Sequence, residues 1–240
     1  MSEFAANEYR ILAVDDSAMV LRMVEASLSD AGFQVMAALS GEEALEMMRQ
    51  QGLPHLALVD INMPLGMDGF ELCEQILEFS DLPVIMLTAV DESDTITEAI
   101  DKYAEDYITK PFRQGELVAR VRRVLRRIGG FAYPLAQYTR VDDNLSVNFA
   151  RGMARVGNTE VSLTHAEVKL LYILMRAGGQ TLTTNFIMRR LWPTDYLSAT
   201  DERLRVYIHR LRNKIEADPA RPRYVISQRG KGYSFGEVNK

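Results

Sequence analysis

The sequence predicts a doubly wound α/β domain, five strand–helix units around a parallel sheet, followed by a smaller basic domain of helices and hairpins. Three observations carry that prediction. Short apolar runs alternate with helical patterns five times before residue 128. One of those runs, Leu56-Ala57-Leu58-Val59-Asp60, is apolar on both sides until its last residue, as a strand covered by helices on both faces must be. The charge also changes sign along the chain. Residues 1–127 carry 11 Lys/Arg against 23 Asp/Glu and residues 128–240 carry 17 against 10, so the net −5 conceals balances of −12 and +7. An acidic half joined to a basic half implies two domains with different partners, the basic one suited to a polyanion.

The bulk numbers exclude several classes. The 240 residues suit one or two domains with a sizeable core. No apolar run approaches the ~20 residues of a membrane span. Met1 to Arg10 carries acids and no apolar stretch, so no secretory pattern is visible. A single cysteine, Cys73, excludes an internal disulfide and a multi-cysteine metal site. A cytoplasmic protein with no membrane partner is the expectation.

In order, Ile11–Val14 reads as a strand, followed by a helix from about Ser17 to Ala31 that Gly32 stops. Phe33–Ala37 is the next strand, and Ser40-Gly41-Glu42-Glu43 reads as a capping box, with Glu43 reaching back to the cap. Leu56–Asp60 precedes a helix over about Gly69–Phe79. Pro83–Thr88 precedes one over about Ser93–Lys102. The short strand Asp106–Ile108 precedes a helix over about Gln114–Arg127. Strands of a parallel sheet present their C-terminal ends at one mouth, where open α/β sheets place their chemistry. Asp15 and Asp16 follow the first strand, Asp60 ends the third, Thr88 ends the fourth and Lys110 follows the fifth. Clustered carboxylates repel, and a hard divalent cation such as Mg²⁺ removes the conflict. Asp60 is then a candidate nucleophile for phosphate, with the Thr88 hydroxyl and the Lys110 ammonium as partners for phosphoryl oxygens.

The set Asp15-Asp16, Asp60, Thr88-Ala89 and Lys110-Pro111-Phe112 resembles the CheY-like receiver domain of two-component response regulators, over roughly residues 8–128. The resemblance implies strand order 2-1-3-4-5 and a cis peptide between Lys110 and Pro111. It implies Asp60 as phosphoacceptor, with Asp15, Asp16 and the Asn62 backbone carbonyl around Mg²⁺. It also implies Tyr107 as a ring that turns inward when Thr88 moves to the phosphate. Two departures stand out. The loop Pro64–Gly69 is one residue longer than usual, and Tyr103 stands where a glycine suited to a left-handed cap is common. Arg120, Arg122, Arg123, Arg126 and Arg127 make the last helix basic. In the family such arginines meet acids across a two-fold dimer, and Asp101, Glu105, Asp106 and Glu116 supply acids here.

Ile128 to Arg140 has glycine, proline and no clear period, and reads as a linker between a domain of residues 1–128 and one of residues 141–240, with residues 129–140 between them. Leu145–Phe149 alternates, and Ala154–Leu163 holds two short strands about a Gly-Asn turn. Thr164-His165-Ala166-Glu167 is a second capping box. The helix it opens turns Val168, Leu170, Leu171, Leu174 and Met175 inward and ends at Gly178-Gly179. Thr184 is the expected cap of a helix running to Trp192, and Pro193–Ala199 is a loop. A helix over Asp201–Glu216 has Leu204, Ile208, Leu211 and Ile215 on one stripe. Opposite it stand Glu202, Val206, His209, Arg210 and Asn213, flanked by Arg203, Tyr207 and Lys214 on one side and Arg205 and Arg212 on the other. A dry stripe with a basic back suits the major groove, where arginines read guanine or hold phosphates and Val206 touches a thymine methyl.

Tyr224–Ser227 and Gly232–Phe235 flank Gln228-Arg229-Gly230-Lys231, a hairpin with a basic tip. With Leu163-Thr164, Glu167, Leu170-Leu171 and Ile208–Arg212, this resembles the winged-helix effector domain of the OmpR/PhoB family over about residues 140–238. The resemblance implies that the helix enters the major groove and that Arg229 of the wing enters the minor groove. It adds Ser227, Lys231 and Tyr233 as expected DNA contacts and has the Trp192–Thr200 loop touch RNA polymerase. Glu202 stands where an Arg is common and Tyr207 where a His is common, so base preference does not carry over. His209 reads as a polar contact, since no second His or Cys lies at ligand spacing.

The expected function is a transcription regulator, not an enzyme: a sensor histidine kinase phosphorylates Asp60, receivers pair, and the effector domains bind tandem half-sites in double-stranded DNA. Two other readings compete. One is a phosphatase acting through an aspartyl phosphate, against which Asn62 stands where such an enzyme needs a second acid. The other is a DNA binder indifferent to phosphorylation.

Overall fold

The computed structural model describes residues 5–64, 66–89, 103–128, 136–193 and 195–236. The helix expected over about Ser93–Lys102, with Asp101, lies outside the described residues, as does Leu65 of the Pro64–Gly69 loop. The chain divides into two compact units, one drawn from Met1–Ile76 and Leu82–Gly130, the other centred on Phe131–Lys240.

In the first unit, β1 (Arg10–Val14), β2 (Gln34–Ala38), β3 (Leu56–Asp60), β4 (Val84–Ala89) and β5 (Asp106–Lys110) form one sheet in the order β2-β1-β3-β4-β5, every pairing parallel. The order reverses at β1, so the crevice beside β1 and β3 is the switch point where such sheets bind ligands. All five residues of β3 are buried. Among the described residues, helices α1 (Ala18–Asp30), α2 (Gly41–Gln51), α3 (Gly69–Phe79) and α4 (Gln114–Ile128) accompany the sheet. Ile11, Leu56, Leu58, Ile85 and Ile108 of the sheet pack with Leu21, Val24 and Leu28 of α1 and Leu117, Val121 and Val124 of α4 in one core. Full burial contributes about 1.5–3 kcal/mol for each such side chain.

Two expectations need correction here. Lys110 does not follow β5 but ends it, aligned with Ala89, because pairing with β4 extends the strand two residues past Ile108. The capping box at Ser40 is open: the Ser40 hydroxyl accepts from the Glu43 N–H at 3.2 Å, but the Glu43 carboxylate accepts from Leu39 N–H at 2.7 Å, one residue before the cap. Tyr103 has no left-handed backbone. Its hydroxyl instead donates to Glu74 on α3, and its ring lies 6.2 Å from Phe70.

The second unit opens with an antiparallel sheet, β6 (Thr139–Arg140), β7 (Leu145–Asn148), β8 (Met153–Val156) and β9 (Thr159–Ser162). Thr139 and Arg140, expected in the linker, pair with β7. Then come α5 (His165–Arg176), α6 (Thr184–Leu191), α7 (Asp201–Ile215) and a hairpin of β10 (Val225–Gln228) and β11 (Gly232–Phe235). The capping box of α5 is complete: Thr164 N–H donates to Glu167 at 2.8 Å and Glu167 N–H to Thr164 Oγ1 at 3.4 Å. The cap of α6 is Thr183, not Thr184, its hydroxyl accepting from Phe186 N–H at 3.2 Å. Two adjacent threonines make the choice ambiguous by type, and the start of the helix decides it. Leu204, Ile208, Leu211 and Ile215 form the buried stripe of α7.

Candidate functional site

Two sites are built by these units. The first lies at the C-terminal mouth of the parallel sheet. β1 delivers Asp15 and Asp16 and β3 delivers Asp60. A carboxylate oxygen from each lies within 4.8 Å of the others, with Asp15 and Asp60 buried and Asp16 exposed. Lys110, at the end of β5, puts its ammonium 2.6 Å from Asp15 Oδ2 and 2.8 Å from Asp60 Oδ1. Asp15 also accepts from Ser17 N–H at 2.9 Å, which ties it to the cap of α1. Gly69 closes in behind Asp60: a Cβ there would stand 2.1 Å from the Asp60 carbonyl oxygen, so only glycine lets α3 begin so close to the strand.

Burial pushes the Asp60 carboxyl up from its ordinary range. The Lys110 ammonium opposes this, the Asp15 charge adds to it, and the net shift is upward. Burial alone would lower the Lys110 ammonium, but its bonds to Asp15 and Asp60 raise it overall, so it stays charged. Three carboxylates and one ammonium leave two negative charges at the mouth. The residues therefore fit a hard divalent cation in both ligand type and charge. The Asn62 N–H donates to Asp60, which places the Asn62 backbone beside the same carboxylate. Thr88 is buried at the neighbouring strand end, its hydroxyl donating to the Ala89 carbonyl at 3.2 Å. Tyr107 is half exposed, its ring outward. The Lys110–Pro111 peptide is cis.

On the basic surface of α4, two of the arginines have acidic partners within the chain. Arg120 pairs within the chain with Asp106 and Glu116, both at 3.0 Å, and Arg127 with Glu105 at 2.5 Å. Arg122 donates to the Ala31 carbonyl at 3.4 Å.

The second site is the outer face of α7 with the hairpin tip. Arg205, Val206, His209 and Arg210 are exposed on the helix and Arg229 and Lys231 at the tip. Four of the residues expected as DNA contacts also make bonds within the unit. Arg212 donates to the Val225 carbonyl at 2.9 and 2.6 Å and to Ser227 Oγ at 2.8 Å, joining α7 to the hairpin. Burial lowers its pKa. Lys214 donates to the Ser162 carbonyl at 3.0 Å and to Glu167 at 2.7 Å. Ser227 receives Arg212. Tyr233 exchanges backbone hydrogen bonds with Leu182, pinning the hairpin to the loop before α6. Gly232 permits that contact, since a Cβ there would lie 1.9 Å from the Leu182 carbonyl oxygen. Arg203 pairs with Asp195 at 2.5 Å and lies 4.3 Å from the centre of the Trp192 ring, and Tyr207 meets the same ring edge-on at 5.3 Å.

Sequence reasoning missed Glu216. It is buried and accepts backbone N–H bonds from Arg223, Tyr224 and Val225 at 2.8, 2.9 and 2.8 Å, fixing where the hairpin starts. No spacing rule links it to that loop. The only signal was an acid at the end of a helix, where the dipole disfavours one.

Residues 11–122 match the family model described as response regulator receiver domain, and residues 158–235 match transcriptional regulatory protein, C terminal. A probable transcriptional regulator ycf27 of Porphyridium aerugineum is 36% identical over 236 residues, covering 96% of this chain and 97% of that protein. The chain is an OmpR/PhoB-type response regulator. The ycf27 protein of Guillardia theta is likewise 36% identical, over 95% of this regulator and 91% of its own length. The crystal structure of response regulator DrrB, an OmpR/PhoB homologue of Thermotoga maritima, is 27% identical and covers 95% of this chain and 99% of its own, with a TM-score of 0.44. Among the described residues no helix is long and apolar enough to cross a membrane.

Proposed function

We propose that Asp60 is the phosphoacceptor through which a sensor histidine kinase sets the DNA affinity of this regulator. The observation that carries the proposal is the Lys110 ammonium held between Asp15 and Asp60 beside Asp16. In the transfer, an Asp60 carboxylate oxygen forms the new bond to phosphorus as the bond from phosphorus to the kinase's imidazole nitrogen breaks. Asp15, Asp16, Asp60 and the Asn62 carbonyl would hold Mg²⁺, which would supply positive charge against the phosphoryl oxygens. Lys110 turns from Asp60 to the new phosphoryl group. Thr88 exchanges the Ala89 carbonyl for a phosphoryl oxygen, and the outward Tyr107 ring moves into the space it leaves. The added charge of about −1.5 to −2 is large enough to bias an element whose two states differ by a few kcal/mol.

Receivers then pair through the surface of β5 and α4, exchanging the intrachain partners of Arg120 and Arg127 for partners across the two-fold. The Arg120–Glu116 pair is open to solvent and contributes little alone, whereas Asp106 is largely buried and its bond to Arg120 is the costlier one to exchange. Paired receivers bring two effector units to tandem half-sites in duplex DNA, where tethering raises the effective concentration of the second. Arg205, Val206, Tyr207, His209 and Arg210 face the major groove, Arg229 and Lys231 the backbone and minor groove, and the Trp192–Thr200 loop RNA polymerase. The protein acts in the cytoplasm and is a switch, not an enzyme.

Dimerisation and DNA affinity measured with and without beryllofluoride test the proposal. Both should rise with the mimic, and Asp60→Asn should abolish the response and all labelling by acetyl phosphate. A well-folded protein that stays unlabelled with magnesium present would sink the phosphoacceptor assignment. On the DNA side, Arg210→Ala should weaken specific binding by about 1–3 kcal/mol.

A further inference from the structure

The exposed face of α7 carries a hydrogen-bonded pair with no structural task. Asn213 Nδ2 lies 3.0 Å from His209 Nε2, and both residues are exposed. Residues four apart on a helix are neighbours, so the pair forms without disturbing the backbone. Steps of three and four link Val206, His209, Arg210 and Asn213 into one outward patch. Of the flanking cations, Arg212 bonds to the hairpin, Lys214 to Glu167 and Arg203 to Asp195, while Arg205 stays exposed beside the patch.

We propose that Asn213 reads an adenine in the major groove and that His209 is the positioning residue that orients its amide. The proposal rests on the assignment of α7 to the groove made above. A side-chain amide offers a carbonyl acceptor and two N–H donors. One N–H is given to the imidazole, whose Nε2 accepts it while the ring proton sits on Nδ1. What remains toward the groove is one acceptor, Oδ1, beside one donor. That pair matches the N6–H donor and N7 acceptor of adenine; guanine offers two acceptors at the same edge. Without His209 the amide rotates between its two faces, and ordering it on the base costs entropy that the helix pair has already removed. Arg210, one step along the patch, suits a neighbouring guanine, and Val206 a thymine methyl.

The test uses the full chain with beryllofluoride and a pool of DNA duplexes with a randomised core; the bound fraction is sequenced and each selected base is then substituted in turn. One position should prefer adenine. Asn213→Ala should reduce that preference about tenfold, leaving the other positions unchanged. His209→Ala should reduce it by a smaller factor at the same position only. His209→Gln, which keeps an acceptor in reach of the amide, should restore it. Both side chains are exposed, so circular dichroism and Tm should not move. A uniform loss of affinity on all duplexes in Asn213→Ala would make the residue a phosphate contact and overturn the proposal, as would a lost preference for a base other than adenine or no change. If Arg210→Ala keeps its base-specific effect in any of those cases, the groove assignment stands and only the adenine reading falls. If the wild-type chain enriches no duplex, the groove assignment falls and takes this proposal with it.

Discussion

Both units bury carboxylates, and they treat them in opposite ways. In the second unit Glu167 receives the Lys214 ammonium and the Thr164 N–H, and Glu216 receives three backbone N–H groups. Both of these carboxylates are answered by their own fold. In the first unit Asp15 and Asp60 share a single ammonium with Asp16 close by, and the cluster keeps net negative charge. A buried charge that its own fold satisfies is part of the scaffold. One that its own fold leaves under-neutralised suits a counter-charge from outside, which is what the proposed cation site and phosphoacceptor would use.

Removing each ammonium should sharpen that contrast. Lys110→Met leaves two buried carboxylates facing each other and should cost the first unit about 3 kcal/mol near neutral pH. Added magnesium should restore most of it, because the site accepts an outside charge. Amide hydrogen exchange of β1 and β3 with and without magnesium reads this directly. Lys214→Met should cost the second unit about 2 kcal/mol, less because it leaves one carboxylate and not two, and Glu167 keeps its N–H partner, and magnesium should not rescue it. The sole tryptophan, Trp192, lies in the second unit and reports its unfolding by fluorescence. Rescue in both variants, or in neither, would break the comparison.

The pH dependence should run in opposite directions. Burial raises the Glu167 carboxyl, but Lys214 and Thr164 together bring it below the ordinary 4.5. Its stabilisation is therefore complete above that value and lost as pH falls through the lower folded one. Glu167→Gln should be less stable than wild type near neutral pH, and the gap should close in acid. Burial raises the Asp60 carboxyl above its ordinary 3.8 despite Lys110. The folded state then binds the proton more tightly, so this group adds stability below the ordinary value and loses it as pH rises through the folded one. Asp60→Asn should be no less stable than wild type near neutral pH. Urea unfolding of both variants across the acid range checks the two signs. The smallest effect concerns the cap of α6: Thr183→Ala should cost about 1 kcal/mol and Thr184→Ala under about 0.5 kcal/mol, seen as shifts in the Trp192 transition.

Much of this was legible in the residues. The strand ends carrying Asp15, Asp16, Asp60 and Thr88 could be placed because a parallel sheet has one chemical mouth and apolar runs mark its strands. The buried stripe of α7 could be placed because helical periodicity is a local property. The sequence was a poorer guide to which cations of α7 face outward. Arg212 and Lys214 look like groove residues on a helical wheel, yet a wheel does not know that the Val225 carbonyl and Glu167 lie within reach. The intrachain partners of Arg120 and Arg127 were invisible for the same reason.

By itself, then, the order of residues determined the alternation of elements, the faces they bury and the residues collected at the sheet's open end, because each follows from spacing along the chain. Only the tertiary structure decided which charges are answered internally. That depends on carbonyls and carboxylates remote along the chain, from 13 to 95 residues away: Ser162 and Glu167 for Lys214, Val225 for Arg212, and both Asp15 and Asp60 for Lys110. A charged side chain is committed by whatever lies within about 3 Å of it, and that neighbour is chosen by the fold.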